Sequence, residues 1–501
     1  MTEDSAGPWI TQDWVVGLTR GEAPTPQAPR AQVLHELETA SAADPADLDL
    51  LKKLAEVYRQ DGQFDAAMRA WERVLAVNPT YRRGLSRLVS VGARGCMDWP
   101  RIWSAVRHLE PLKKGSSPYR NPALRAQLDA LFSHPHAHPE RRAISAEEAE
   151  AVVAGLEDMA QGGRQLKPTT LTLVLMRLQF DGHFRAGFRL RELGARRRIA
   201  EALTKPVTPE VRAVRDLLKA LTYVGQPAAA AEFAGMQRWA KDEPRVQQRL
   251  NKMQADALLA AGKPDRYVAY SAGVRDDFTL PGEEHMRALV EGKRIAVVGP
   301  ADTGDELGSV IDDYDVVVRP RYQPDFLAQH TASMGSRTDI AYYSGFDMGD
   351  FLHTAAEAVA RGELQLVNAR PFTYASHHHL GHAWLRFYRH DYSLCPAGGQ
   401  LGVQRMIYDI LQFSPLEITI FNSDFYTGSQ MFTPGWRPQD RFAPGSHIND
   451  IVAAHDIRFD FQFTQALIRS GKVTARGRAA AVLQLNMEQY LDAVEAARVL
   501  R

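Results

Sequence analysis

From Lys293 onward the chain alternates short apolar, β-branched runs with helical segments, and that alternation constrains the fold more than any other feature. The runs are KRIAVVGP from Lys293, YDVVVRP from Tyr314, LQLVN from Leu364 and EITIF from Glu417. Strands that alternate with helices imply a parallel sheet with crossover helices. Residues 290–425 are therefore expected to form an α/β domain. A helical pattern over Arg476–Leu500 ends the chain.

The first strand runs into a glycine-rich turn, AVVGPADTGDELG (Ala296–Gly308). Open α/β sheets bind ligands beyond the carboxyl ends of their strands, so this turn is a candidate nucleotide site. It contains neither GxGxxG nor GxxxxGK[ST], which leaves a dinucleotide fingerprint and a P-loop unsupported. Taken alone, the turn implies only a Rossmann-like domain.

The first half of the chain has a different period. Residues 1–40 are rich in Pro, Ala, Thr and Gln and read as a flexible leader. The segment Leu51–Pro79 resembles a tetratricopeptide repeat, a helix–turn–helix of about 34 residues. Leu51, Leu54, Tyr58, Ala67, Trp71 and Pro79 fall at its offsets, and Asp61-Gly62 marks the turn. Leu171–Leu193 and Leu217–Ala240 each carry apolar residues at helical spacing on both sides of a Gly-containing turn. One repeat cannot bury its apolar face alone, so a stacked helical solenoid is expected from about 40 to 280.

Composition narrows the function classes. Sixty basic residues balance sixty acidic ones, which gives no general pull on nucleic acid. The two cysteines, Cys96 and Cys395, cannot form a disulfide framework or a thiolate zinc site on their own. The N-terminus lacks the apolar run of a signal peptide, and no stretch reaches the roughly 18 apolar residues of a membrane span. A cytoplasmic protein with no transmembrane segment is expected, and peripheral placement at the inner membrane stays open. His378 and His382 in YASHHHLGHAW are four residues apart, but without HExxH no metal site is expected, and the cluster reads as a polar loop or as the source of a histidine lining the acceptor or donor cleft.

Three ordered segments carry a family resemblance. Arg294–Ile340 contains AVVG, then Gly304 and Gly308, then ID-x-YD-VVVR, then GSRT. It resembles the large motif of the sialyltransferases, family 29 of the glycosyltransferases. Cys395–Tyr426, with Pro396, Gly399, Leu411 and Phe421, resembles the family's small motif. His455–Val473 resembles the very small motif, His-x4-Glu/Asp followed by a helix.

The resemblance implies a multidomain chain with an all-α, tetratricopeptide-like N-terminal region and a C-terminal α/β, Rossmann-like domain of the sialyltransferase type (a GT-A variant). The expected units are the leader 1–40, repeats over 41–135, further helical repeats over 136–285, and the α/β domain with its C-terminal helix over 286–501. It implies an inverting, metal-independent transferase without cofactor that uses a CMP-sugar donor and a glycan or protein acceptor. The helical region would recognise the acceptor or a protein partner. The donor-binding residues it implies are Gly299, Pro300, Ala301, Thr303, Arg319 and Arg321, with Ser336 and Thr338 bracing a strand end. Pro396, Ala397, Gly398 and Gly399, then Asn422 and Ser423, complete the set. His455 would be the general base, a task that suits imidazole. His447 would meet the donor phosphate.

Asp460 holds the motif's acidic position. On an ideal helix a five-residue offset places it about 140° from His455, so it is expected to orient a loop or pair with a helix start. Pro300, Arg321 and Gly398 depart from the family pattern, and the sugar stays open among sialic acid, Kdo and related nonulosonic acids. An alternative is a protein-binding scaffold whose transferase-like domain is inactive.

Overall fold

The computed structural model describes residues 30–497 apart from 61–62, 94–97, 110–120, 134–142, 162–167, 206, 238–242, 344–347, 371–381, 437–451 and 453–454. Asp61-Gly62, Cys96, His378 and His447 lie outside the described residues.

Every described element before Arg294 is a helix, and these helices pack chiefly on their sequence neighbours. The helix Phe64–Val77 shows why. It buries Ala67, Met68, Ala70, Trp71 and Val74, a stripe at helical spacing. That stripe shares a core with Leu51 and Ala55 of the helix Leu48–Gln60, and Tyr58 packs against it. Ala67 is fully buried, so its small side chain sits where the two helices meet.

The C-terminal part holds a seven-stranded parallel sheet: β1 (Arg294–Val298), β2 (Val316–Pro320), β3 (Ile340–Tyr343), β4 (Leu366–Ala369), β5 (Leu385–Phe387), β6 (Glu417–Phe421) and β7 (Val473–Ala475). Their order is β5-β4-β3-β2-β1-β6-β7. The chain adds strands outward from β1 as far as β5, then crosses to the other side of β1 for β6 and β7. The order therefore reverses between β1 and β6, where Val298 lies opposite Phe421.

Both parts share one apolar core. Polar contacts reinforce the join: Tyr408 Oη donates to Asp256 Oδ1 (2.7 Å), and Tyr267 Oη donates to the Tyr408 carbonyl (3.0 Å). Among the described residues no helix is long and apolar enough to cross a membrane.

Candidate functional site

The switch between β1 and β6 is where an open α/β sheet leaves a crevice for ligands. Here Gly299 continues β1, and its N–H donates to the Phe421 carbonyl (2.9 Å). The Ala301 N–H donates to the Asn422 carbonyl (3.1 Å). A Cβ on residue 299 would lie 2.4 Å from that same carbonyl oxygen, so the close approach requires glycine.

The backbone is strained at the same edge. Arg321, Asn422, Phe425 and Tyr426 have φ of 70°, 45°, 51° and 65°, and they follow β2 and β6. Non-glycine residues held at positive φ concentrate at functional sites. Asn422 is also buried, and neither polar atom of its side chain has a partner. The Thr303 hydroxyl is in the same condition. Buried polar groups are nearly always satisfied, so these orphans at a sheet's ligand-binding edge fit groups that meet a ligand.

A cleft beside Gly299 is lined by Pro300, Arg319, Arg321, Phe326, Leu327 and Trp436, and with its mouth it holds about 270 Å³. Most of that space is open to solvent, and the enclosed part is about 20 Å³, room for a water rather than for a ring. The Arg321 guanidinium lies 5.0 Å from the Trp436 ring centroid. Arg319 turns inward instead. Its Nε donates to the Arg337 carbonyl (2.8 Å) and its Nη2 to the Met334 carbonyl. Burial pulls its guanidinium down to about 10.

On the other side of the switch, the loop Cys395–Gln400 leads into the helix Gly402–Leu411. Gly398 has φ of 50°. The helix begins at Leu401 with no side-chain cap, so its first-turn amides have no acceptor within the helix. Such a terminus favours an anion. Val403 packs toward Gly299, within 3.4 Å of where a Cβ there would sit.

His455 immediately precedes Asp456, the N-cap of the helix Ile457–Arg469, whose carboxylate accepts the Phe459 N–H (2.8 Å). His455 Nδ1 lies 2.7 Å from the Gly399 carbonyl. A carbonyl only accepts, so Nδ1 carries the proton, and in the neutral ring Nε2 carries the lone pair. Asp460, one turn into the same helix, accepts the Leu401 N–H (3.3 Å). It thereby ties the His455 helix to the start of the helix Gly402–Leu411. Burial pushes the Asp460 carboxyl well above its ordinary range.

No protein-family model matches this chain, and no curated protein matches it.

The structure brings together Gly299, Pro300, Ala301, Thr303, Asn422 and Ser423 at the switch. Pro396, Ala397, Gly398, Gly399, His455 and Asp460 gather around the adjoining loop. It does not bring Ser336 and Thr338 to them. In register, Thr338 lies level with Val316 and hence with Ile295, four residues before Gly299. At about 3.3 Å per residue that is roughly 13 Å toward the amino edge of the sheet. There the Ser336 hydroxyl donates to Asp312 (2.9 Å), and the buried Thr338 hydroxyl has no partner. Burial raises the Cys395 thiol well above its ordinary value, which keeps it protonated and unreactive.

Arg370 and Arg405, whose guanidiniums face Gly399, were not among the expected site residues. A signal existed for Arg370. It stands two residues past LQLVN, directly after β4, at the carboxyl end of a parallel strand where ligands bind.

Proposed function

We propose that the C-terminal part is an inverting, metal-independent glycosyltransferase of the sialyltransferase type that draws on a CMP-activated sialic acid, Kdo or related nonulosonic acid. The observation that carries this reading is the His455 Nδ1–H bond to the Gly399 carbonyl. It holds an imidazole with a basic Nε2 beside an uncapped helix start, so a proton acceptor and an anion site adjoin.

In the reaction, Nε2 removes the proton of an acceptor hydroxyl as its oxygen attacks the anomeric carbon. The bond from that carbon to the phosphate oxygen breaks, and CMP leaves with the electron pair. Configuration inverts because attack and departure lie on opposite faces. The first-turn amides of Gly402 and Val403 meet the phosphate charge, a stabilisation set in place before reaction. The cytosine lies against the open turn at Gly299 rather than inside the narrow cleft beside it. The helical region, read as tetratricopeptide-like repeats, offers a glycan or protein acceptor an extended surface in the cytoplasm.

The test is a calorimetric titration of the full chain with CMP, followed by transfer and donor-hydrolysis assays across CMP-sialic acid, CMP-Kdo and CMP-pseudaminic acid. Micromolar CMP binding and turnover of one donor are expected. A chain that binds no cytidine nucleotide removes the proposal.

A further inference from the structure

Gly399 is an opening between two guanidiniums. A Cβ built on it would lie 3.4 Å from Arg405 Nη2 and 3.9 Å from Arg370 Nη2, with no other described atom within 4 Å beyond its chain neighbours. Any anion entering beside Gly399 therefore meets both cations. Arg405 is held in place by its Nη2 bond to the Gln400 carbonyl (2.8 Å), and Arg370 by an ion pair with Asp391 (3.0 Å).

Unpartnered donors outnumber unpartnered acceptors in the cluster. Arg405 Nε, Tyr388 Oη and Gln400 Nε2 are buried without a hydrogen-bond partner. Tyr388 and Gln400 are 2% and 3% exposed, so water does not readily satisfy them. All three can donate. Burial lowers the Arg370 guanidinium, and Arg405 beside it pushes the same way. The neighbouring Asp460 carboxyl and Cys395 thiol are both driven toward their neutral forms by burial. Two guanidiniums face one ion-paired carboxylate, Asp391, and three buried donors face one buried orphan acceptor, Asp460 Oδ1, so an oxyanion supplies charge and acceptors together.

We propose that Arg370, Arg405 and the space over Gly399 form an oxyanion subsite, filled by the carboxylate or the phosphate of the donor. The assignment to a donor rests on the transferase reading. The oxyanion chemistry rests on the cluster alone. The subsite adjoins the His455 hydrogen bond to the Gly399 carbonyl. A donor anchored there sets its anomeric carbon near the proposed base. A sugar without a carboxylate would leave one arm of the anchor empty.

The test uses the full-length chain with three ligands: inorganic phosphate, CMP, and CMP-3-fluorosialic acid as a donor that is not turned over. The variants are Arg405→Gln, Arg370→Gln and Gly399→Ala. The alanine methyl meets ordinary van der Waals distances and no positive φ, so Gly399→Ala folds while occupying the anion's place. Loss of a charge-assisted bond lowers affinity about 10- to 100-fold. Weakening confined to the fluorosialic donor assigns the carboxylate. Equal weakening of CMP and the donor assigns the phosphate. Unchanged affinity for all three ligands in folded variants overturns the subsite. If the parent chain binds phosphate through these arginines but neither nucleotide, the subsite stands and the transferase reading falls.

Discussion

Arg191, in the helical region, forms an ion pair with Asp456, the residue that follows His455 and caps its helix. The Asp456 side chain is 1% exposed and that of Arg191 11%. Next to this pair, Arg458 bonds Glu192 (2.9 Å) and lies over the Tyr223 ring. The helical region thus holds the His455 segment in position. Removing one member of a buried pair costs about 3–5 kcal/mol, because the other is left uncompensated. Arg191→Ala is expected at the low end, about 3 kcal/mol, since some solvent reaches the pair. Urea unfolding checks the stability. Turnover should fall more than CMP affinity, because the His455 segment loses its brace.

Gly299→Ala should damage the proposed nucleotide site directly. The new methyl would meet the Asn422 carbonyl at 2.4 Å, and backbone cannot swing aside as a flexible side chain can. Overpacking of this kind costs about 1–3 kcal/mol. Asn422 is displaced with it, so CMP affinity is expected to drop at least about tenfold, the equivalent of 1.4 kcal/mol. Calorimetry on the folded variant reads this, and an unchanged affinity would separate Gly299 from the nucleotide.

Four strands were legible because β1, β2, β4 and β6 lie in short runs rich in apolar and β-branched residues. β5 and β7 are three residues each, LRF and VTA, too short for any period to show. Missing β3, IAYY, had a consequence. Residues just before a parallel strand must lie at the sheet's amino edge, so recognising Ile340–Tyr343 would have removed Ser336 and Thr338 from the donor set. The place of His455 before a helix was readable from local pattern. Its bond to Gly399 joins residues 56 positions apart, which no local period encodes. In the sequence Arg405 is one charge on an amphipathic helix, with no motif to mark it. Only the packed fold shows that it is turned toward Gly399.

His390 gives stability a pH dependence with a definite sign. Burial, then Lys252, Arg389 and other cations, hold its imidazole well below the ordinary value near 6.5. The folded state keeps it neutral while the unfolded state takes up a proton, so stability is present above about pH 6.5 and is lost as pH falls below it. The loss approaches about 1.4 kcal/mol per pH unit. His390→Phe keeps a ring against Tyr270 and removes the titration. Urea midpoints between pH 5 and 7 should fall less steeply in the variant. Parallel slopes would show that another group governs the acid limb.

Asp460→Asn separates charge from hydrogen bonding. The folded state raises the Asp460 carboxyl well above its ordinary range through burial. A raised group contributes stability that is full below the unfolded value near 4 and lost as pH rises through the folded one. The amide removes that loss and still accepts the Leu401 N–H. The variant should therefore be more stable than the parent at pH 8, by a margin that shrinks toward pH 4. Transfer should persist in it, because Asp460 positions the Leu401 turn through an acceptor rather than a charge.

His455→Asn isolates the proposed base. The amide N–H can replace Nδ1–H in the bond to the Gly399 carbonyl, so the loop and its anion site keep their shape. No nitrogen with a basic lone pair remains. General base catalysis contributes about 10²- to 10⁴-fold, so kcat should fall by that factor while CMP affinity stays within about twofold. His455→Ala removes the loop contact as well, and both quantities should fall. Transfer by His455→Asn within tenfold of the parent rate would take the base role from His455 and leave it a brace for Gly399.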